Sequence, residues 1–268
     1  MSSLLYEKRK GVAYLTLNRP EKRNAMDAEA MVRLADAWQD FAADDDLRVA
    51  IVTGAGDTAF SAGADLARLA PLLTGARQPE DEWDRRVMEE KGLSGIALLR
   101  GIDLYKPIIA AINGFCVGGG AELMLGTDLR IAADHARFGL AEVKRALIPG
   151  GGGPVRLPRQ VSYCKAMEIL LVGDPIDAQE AHRIGLVNHV VPASDLMSTA
   201  ETLARKIADN GPVAVRKIKE TAVRSASVSL EEGFAIMDES AAVVMATEDA
   251  QEGPRAFMEK RAPRYVGR

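Results

Sequence analysis

The chain has 268 residues, 47% hydrophobic and 27% charged, with a formal net charge of −4. That length supports one sizeable core, or a core with a small appendage, and the composition argues against disorder, collagen or a repeat array. The acidic balance argues against a nucleic-acid surface, which needs a concentrated basic stripe.

Two cysteines, Cys116 and Cys164, are too few for a disulfide framework and lack metal-ligand spacing, so both are expected as small buried hydrophobes. Glu7, Lys8, Arg9 and Lys10 lie near the start with no apolar segment behind them, so no signal peptide is expected. The longest apolar run, Ile108–Ile112, is far short of the ~20 residues that span a bilayer. The expected setting is the cytoplasm.

In chain order, residues 4–8 and Val12–Leu17 read as strands joined by a tight turn at Lys10-Gly11. The polar, Pro-broken stretch 18–24 predicts a loop. Asp27 then N-caps a helix whose apolar face repeats through Met31, Leu34, Ala35, Trp38 and Phe41. Residues 49–53 form a short buried strand that Gly54 to Gly56 ends. A second loop, 60–66, leads into a polar helical region over about 80–104. Ile108–Ile112 is another buried strand. It runs through Asn113-Gly114 to Gly118-Gly119-Gly120, then to a helix over 121–125 and a strand at Leu129–Ala133. Alternating strand, glycine turn and helix imply an α/β architecture. After Ala178 the strands nearly stop, and 195–208, 213–223 and 230–246 read as helices, broken at Gly211-Pro212. The expected organisation is a core over 1–195 and a C-terminal helical region over 196–268.

The chemistry centres on Gly118-Gly119-Gly120-Ala121-Glu122. Glycines at a strand-to-helix turn let another molecule reach the backbone, and the first N–H groups of the helix have no intrahelical partner. Such donors suit an oxygen that gains negative charge, and Glu122, three residues after Gly119, shares its helix face. Read alone, the motif equally fits a packing turn with a first-turn acid. Twenty residues on, Glu142 precedes a second glycine run, Gly150-Gly151-Gly152-Gly153, with Pro154 positioned to open a helix. Two carboxyl groups at one site suit a water that one deprotonates while the other gives a proton.

Several ordered motifs resemble the enoyl-CoA hydratase/isomerase (crotonase) family: Asn18-Arg19-Pro20 with Asn24-Ala25, Ala62-Gly63-Ala64-Asp65-Leu66, the run from Asn113 to Leu123, Glu142 with Ile148-Pro149-Gly150, Ala178-Gln179-Glu180-Ala181, Gly185-Leu186-Val187, and Phe257 to Arg261. The resemblance implies a crotonase-like spiral of ββα units with a C-terminal helical oligomerisation region. It implies an oxyanion hole from the backbone N–H groups of Ala64 and Gly119, with Glu122 accepting a proton from water and Glu142 delivering one to Cα. It implies a coenzyme A site at Lys22, Ala25, Ala62, Asp65, Leu66 and Gly118, completed by Phe257 and Lys260, perhaps those of a neighbouring subunit. No metal or other cofactor is expected, because coenzyme A belongs to the substrate. The implied activity is hydration of trans-2-enoyl-CoA in lipid metabolism, by trimers paired into hexamers.

Three related outcomes share the machinery: dehydration of a specialised acyl-CoA such as a carnitine-type one, double-bond isomerisation and thioester hydrolysis. A non-catalytic oligomeric or RNA-binding relative is the reading of a different class. The intact glutamates and the acidic balance count against it. Family members often carry glycine where Ala146 stands, Pro154-Val155 replaces a more usual polar pair, and the segment 67–105 looks long, so it bears on the acyl pocket. His135, His182 and His189 are scattered outside any nucleophile motif. Ser61 reads as a loop cap, Asp44-Asp45-Asp46 as a solvated turn, Arg216, Lys217 and Lys219 as a wet helix face, and Met237 and Met245 as a helix interface.

Overall fold

The computed structural model describes residues 2–268. Strands β1 (Leu4–Arg9) and β2 (Val12–Leu17) pair antiparallel, and helix α1 (Ala28–Ala43) follows. Asp27 caps α1 as expected, its carboxylate accepting from the Ala30 N–H at 2.9 Å.

The chain then advances in three passes. Each lays one strand in a large sheet, the next in a small sheet, and then turns into helix. The first pass is β3 (Val49–Gly54), β4 (Ala59–Ser61) and three short helices, α2 (Leu69–Leu73), α3 (Glu82–Glu89) and α4 (Leu93–Ala97). The second is β5 (Ile108–Ile112), β6 (Phe115–Val117) and α5 (Gly119–Leu125). The third is β7 (Leu129–Ala133), β8 (Arg137–Gly139), a 3-10 turn at Glu142–Arg145, then α6 (Gly153–Gln160) and α7 (Tyr163–Val172).

Beyond these lie β9 (Ile176–Asp177), α8 (Ala178–Arg183), β10 (His189–Val191), α9 (Leu196–Ala208), α10 (Pro212–Ser225), α11 (Leu230–Met245) and α12 (Glu248–Met258). The large sheet runs β1-β2-β3-β5-β7-β10 and the small one β4-β6-β8-β9. Only β1–β2 and β8–β9 pair antiparallel. This is the ββα spiral.

The central strands are mostly apolar, with Thr53 and Arg130 as exceptions, because both faces of the large sheet are covered. Ile108, Ala110 and Ile112 of β5 face the main core with Trp38 and Phe41 of α1, while Ile109 and Ala111 face Leu196, Ala200 and Ala204 of α9. The i, i+4, i+8 spacing on α9 gives that helix its buried stripe. At the C-terminus, buried Asp249 accepts from the Val266 and Gly267 N–H groups at 2.7 and 2.8 Å, and Glu252 from the Arg264 N–H at 2.9 Å. Among the described residues no helix is long and apolar enough to cross a membrane.

Several expectations are corrected. The region 80–104 is not one helix: the chain breaks between α3 and α4 at Gly92 (φ +84) and leaves helix by Leu98. The strands do nearly stop after Ala178 as expected, with β10 adding one short parallel edge beside β7. Cys116 is buried, but Cys164 is exposed on α7. Lys219 is not on a wet face, because its ammonium donates to Asp128 at 2.7 Å and to the Lys106 carbonyl at 3.0 Å. Met237 and Met245 are exposed in the single chain.

Candidate active site

Two loops meet where β6 turns into α5. Gly63, at φ +88, approaches the start of α5 so closely that a Cβ there would lie 2.9 Å from the Gly119 nitrogen. The loop is pinned from both sides. Ser61 Oγ donates to the Asn24 carbonyl at 2.8 Å and accepts from the Gly63 N–H at 3.1 Å, which is the loop-capping role expected of it. Met26 N–H donates to Gly63 O, and Asp65 N–H to Met26 O, each at 2.8 Å. These bonds bracket Ala64 and leave its N–H with no backbone acceptor. Gly119 is the first residue of α5, and its N–H is likewise without one. The Ala64 nitrogen lies 3.6 Å from where a Gly119 Cβ would stand, so the two amides are neighbours.

Glu122, in the first turn of α5, is 3% exposed. Its Oε1 accepts from the Gly153 N–H at 2.9 Å, and the Gly151 and Gly152 amides also face the carboxyl. Burial pushes its pKa up, partly offset by those amides and by the Arg156 guanidinium. Glu142 opens the 3-10 turn after β8, and its Oε2 is buried with no hydrogen-bond partner. Burial raises its pKa too, and the charge of Glu122 adds to the rise. The two carboxyls therefore sense each other across one cavity of about 630 Å³, which both line. A raised pKa inside a cleft marks a group suited to proton transfer near neutral pH.

Of the residues singled out in the sequence, Ala62, Ala64, Leu66, Gly118, Gly119, Glu122 and Glu142 all line this cavity. Lys22, Ala25 and Asp65 do not. Ala25 offers its carbonyl to Arg19 at 2.7 Å, and Asp65 is spent on Arg19 and on the Ala67 and Arg68 amides. Phe257, 82% exposed, and Lys260 lie at the end of α12, also outside the cavity of this chain. The three histidines line no part of it; His135 Nε2 instead faces the Asp57 and Asn113 carbonyls at 2.9 and 3.2 Å.

Sequence reasoning missed three arginines. Arg156 donates to the Leu98 carbonyl at 2.9 Å and the Glu122 carbonyl at 3.2 Å, binding α5 to the end of α4. Arg100 and Arg145 line the cavity itself. Nothing in their sequence surroundings marks them, since what each one faces is decided by how α4, the 3-10 turn and α6 stack in the fold.

A ββα spiral with paired carboxyls and two unpartnered amides at one helix start defines a crotonase-type enzyme. The family model described as enoyl-CoA hydratase/isomerase matches residues 7–268, and the chain belongs to that family. It is 41% identical over 256 residues to the (E)-benzylidenesuccinyl-CoA hydratase of Thauera aromatica, covering 96% of each chain. It is 40% identical to the carnitinyl-CoA dehydratase of Proteus mirabilis, covering 99% of each. Among solved structures, the enoyl-CoA hydratase of Mycobacterium tuberculosis superposes with a TM-score of 0.89 at 38% identity, over 100% of both chains.

Proposed function

We propose that this protein is an enoyl-CoA hydratase, adding water across the C2–C3 double bond of a trans-2-enoyl-CoA and, in reverse, dehydrating the 3-hydroxyacyl-CoA. One observation carries the reading: two carboxyls with raised pKa, Glu122 buried and Glu142 half-buried, line a single cavity beside two amide donors that have no backbone acceptor among the described residues.

The thioester oxygen accepts from the N–H groups of Ala64 and Gly119. Glu122 removes a proton from water as its oxygen bonds to C3. The double-bond electrons move toward the thioester, whose oxygen takes the enolate charge. Glu142 then gives its proton to C2. The amides act where charge develops, so they favour the transition state over the ground state. The division of roles follows the surroundings. Glu122 has amides to stabilise a carboxylate, whereas Glu142, with an unpartnered Oε2 near that charge, is the better holder of a proton. With both glutamates present, hydration or dehydration is favoured over double-bond isomerisation.

The coenzyme A portion passes Ala62, Leu66 and Gly118 at the cavity mouth. Lys22 and Ala25 lie on the adjoining loop, and Phe257 and Lys260 of a neighbouring subunit complete the nucleotide site. The chain assembles as trimers paired into hexamers; Ile218, Phe234, Phe257 and Met258, exposed on the C-terminal helices, suit burial between copies. The test is loss of enoyl-thioester absorbance with short- to medium-chain trans-2-enoyl-CoA substrates, beside Glu122→Gln and Glu142→Gln. Turnover lost in both variants supports the reading. No wild-type turnover on any chain length, with or without a terminal carboxylate, overturns it.

A further inference from the structure

The cavity carries more positive charge than the reaction uses. Besides Glu122 and Glu142, its charged lining residues are Arg100 and Arg145. Among the described residues, neither guanidinium has a carboxylate within salt-bridge distance. Most surface arginines here find one: Arg19 meets Asp65, Arg77 meets Asp84, and Arg86 meets Asp36. Apart from Thr74 and Ser94 the other side chains of the wall are apolar, among them Met31, Leu69, Leu73, Leu98, Leu147 and Ile148.

Arg100 is placed with some force. The backbone on either side of it is left-handed, Leu99 at φ +58 and Gly101 at φ +75. A leucine in that region costs about 1–2 kcal/mol, so surrounding contacts must hold it. Arg156 does so, gripping the Leu98 and Leu99 carbonyls. Arg100 in turn donates one N–H to the Gly150 carbonyl at 3.0 Å. The next residue, Gly151, packs against Glu122, where an added Cβ would come within 2.9 Å of Oε2. Arg100 therefore stands on the glycine loop beside the catalytic carboxyls, on the α4 side of the cavity. Among the described residues its remaining guanidinium N–H groups have no protein acceptor.

We propose that the acyl group taken by this pocket bears a carboxylate, and that Arg100 is the residue that selects it. This rests on the reading of the cavity as an acyl-CoA site and names the class of acyl group. A guanidinium offers a carboxylate two parallel, charge-assisted bonds. Two guanidiniums on one cavity wall, free of carboxylate partners among the described residues, favour an anionic acyl substituent over a cationic one of the carnitine type. Arg145, three residues after Glu142, adds to the same field.

The test compares two saturated acyl-CoA esters of equal length, one ending in a carboxylate and one in a methyl group. Their dissociation constants are measured by calorimetry for wild type, Arg100→Gln and Arg100→Lys. Because these esters do not react, the result stands whether or not the protein is a hydratase. Wild type is expected to prefer the carboxylated ester about tenfold, Arg100→Gln to lose that preference, and Arg100→Lys to keep part of it. No wild-type preference overturns the substrate class. A preference that survives Arg100→Gln overturns the role of Arg100. Equal weakening of both esters and of free coenzyme A by Arg100→Gln assigns Arg100 to the phosphates or the loop, and likewise overturns it. With the matching enoyl esters, absence of turnover despite binding would instead fail the hydratase reading alone.

Discussion

The Glu122 carboxylate and the Gly153 amide, thirty-one residues apart in sequence, are joined by a 2.9 Å hydrogen bond inside the cavity wall. The glycine loop after the 3-10 turn thus decides where the acid on α5 points. Gly151 is the tightest point of that contact, since a Cβ there would stand 2.4 Å from Leu98 Cδ1 and 2.9 Å from Glu122 Oε2. Gly151→Ala is expected to displace the carboxyl. A misplacement of an ångström costs on the order of 10²-fold in turnover. Steady-state kinetics beside a thermal melt checks this, with the loss of kcat exceeding what the loss of stability explains.

Removing the Gly119 donor tests the oxyanion site directly. Gly119 is the first residue of α5, a position where proline keeps the helix and deletes one N–H. The added ring meets the flexible Met26 Cε, 3.0 Å from an ideal Cβ. Gly119→Pro is expected to fold, by circular dichroism, and to lose about 10²–10³ in kcat. Near-native turnover in a folded variant would take Gly119 out of the catalytic site.

Glu142 should cost stability to serve catalysis. Its pKa is raised in the folded chain, so the folded state holds the proton more tightly than the unfolded one. Stability from this group is full below the ordinary glutamate value and falls as pH rises through the raised one. Glu142→Gln should therefore match wild type in acid and become the more stable of the two as pH rises toward neutral, while losing turnover. Denaturant melts at several pH values measure the gap; one that closes as pH rises would refute the assignment.

Ala146 ends the 3-10 turn at φ +55, a conformation glycine adopts without strain. Ala146→Gly is expected to stabilise the chain by ~0.5–1 kcal/mol, read as a small rise in Tm. No gain would show that the methyl group makes contacts that offset the strain.

Assembly is checked by sedimentation at micromolar concentration. Trimers or hexamers are expected from the exposed Ile218, Phe234, Phe257 and Met258, and a monomer alone would sink that expectation.

The alternation of strand and helix and the candidate site motifs were legible because they are written locally, whereas the spiral was implied by the family resemblance. Asp27 caps the helix that its spacing announced, and the Gly118-Gly119-Gly120 run marks a helix start whose amides stay free. The three-residue strands β4, β6 and β8 were not legible, because so short a segment carries no period and forms only against its neighbours. Arg100 and Arg156 were invisible for a related reason: their contacts span 50 to 58 residues and exist only after the passes have stacked. Asp65 was read as lining the ligand site, yet its N–H and carboxylate are committed within the protein.

The spiral also divides labour along the chain. Gly119, Glu122 and Glu142 sit on the turns and helix that the second and third passes stack in register, while Leu69, Leu73, Leu98 and Arg100 belong to the connector between the first pass and β5. That connector is packed into the main core through Leu69, Leu72, Val87, Leu93 and Ala97, and the Trp38 Nε1 bond to the Ala97 carbonyl at 3.2 Å ties it to α1. It supplies no strand to either sheet, yet it meets the glycine loop where Leu98 approaches Gly151 and Arg100 bonds the Gly150 carbonyl. On the proposed reading, grafting this segment onto a related chain would carry acyl selectivity across together with that junction, and the chemistry would follow only as well as the junction fits.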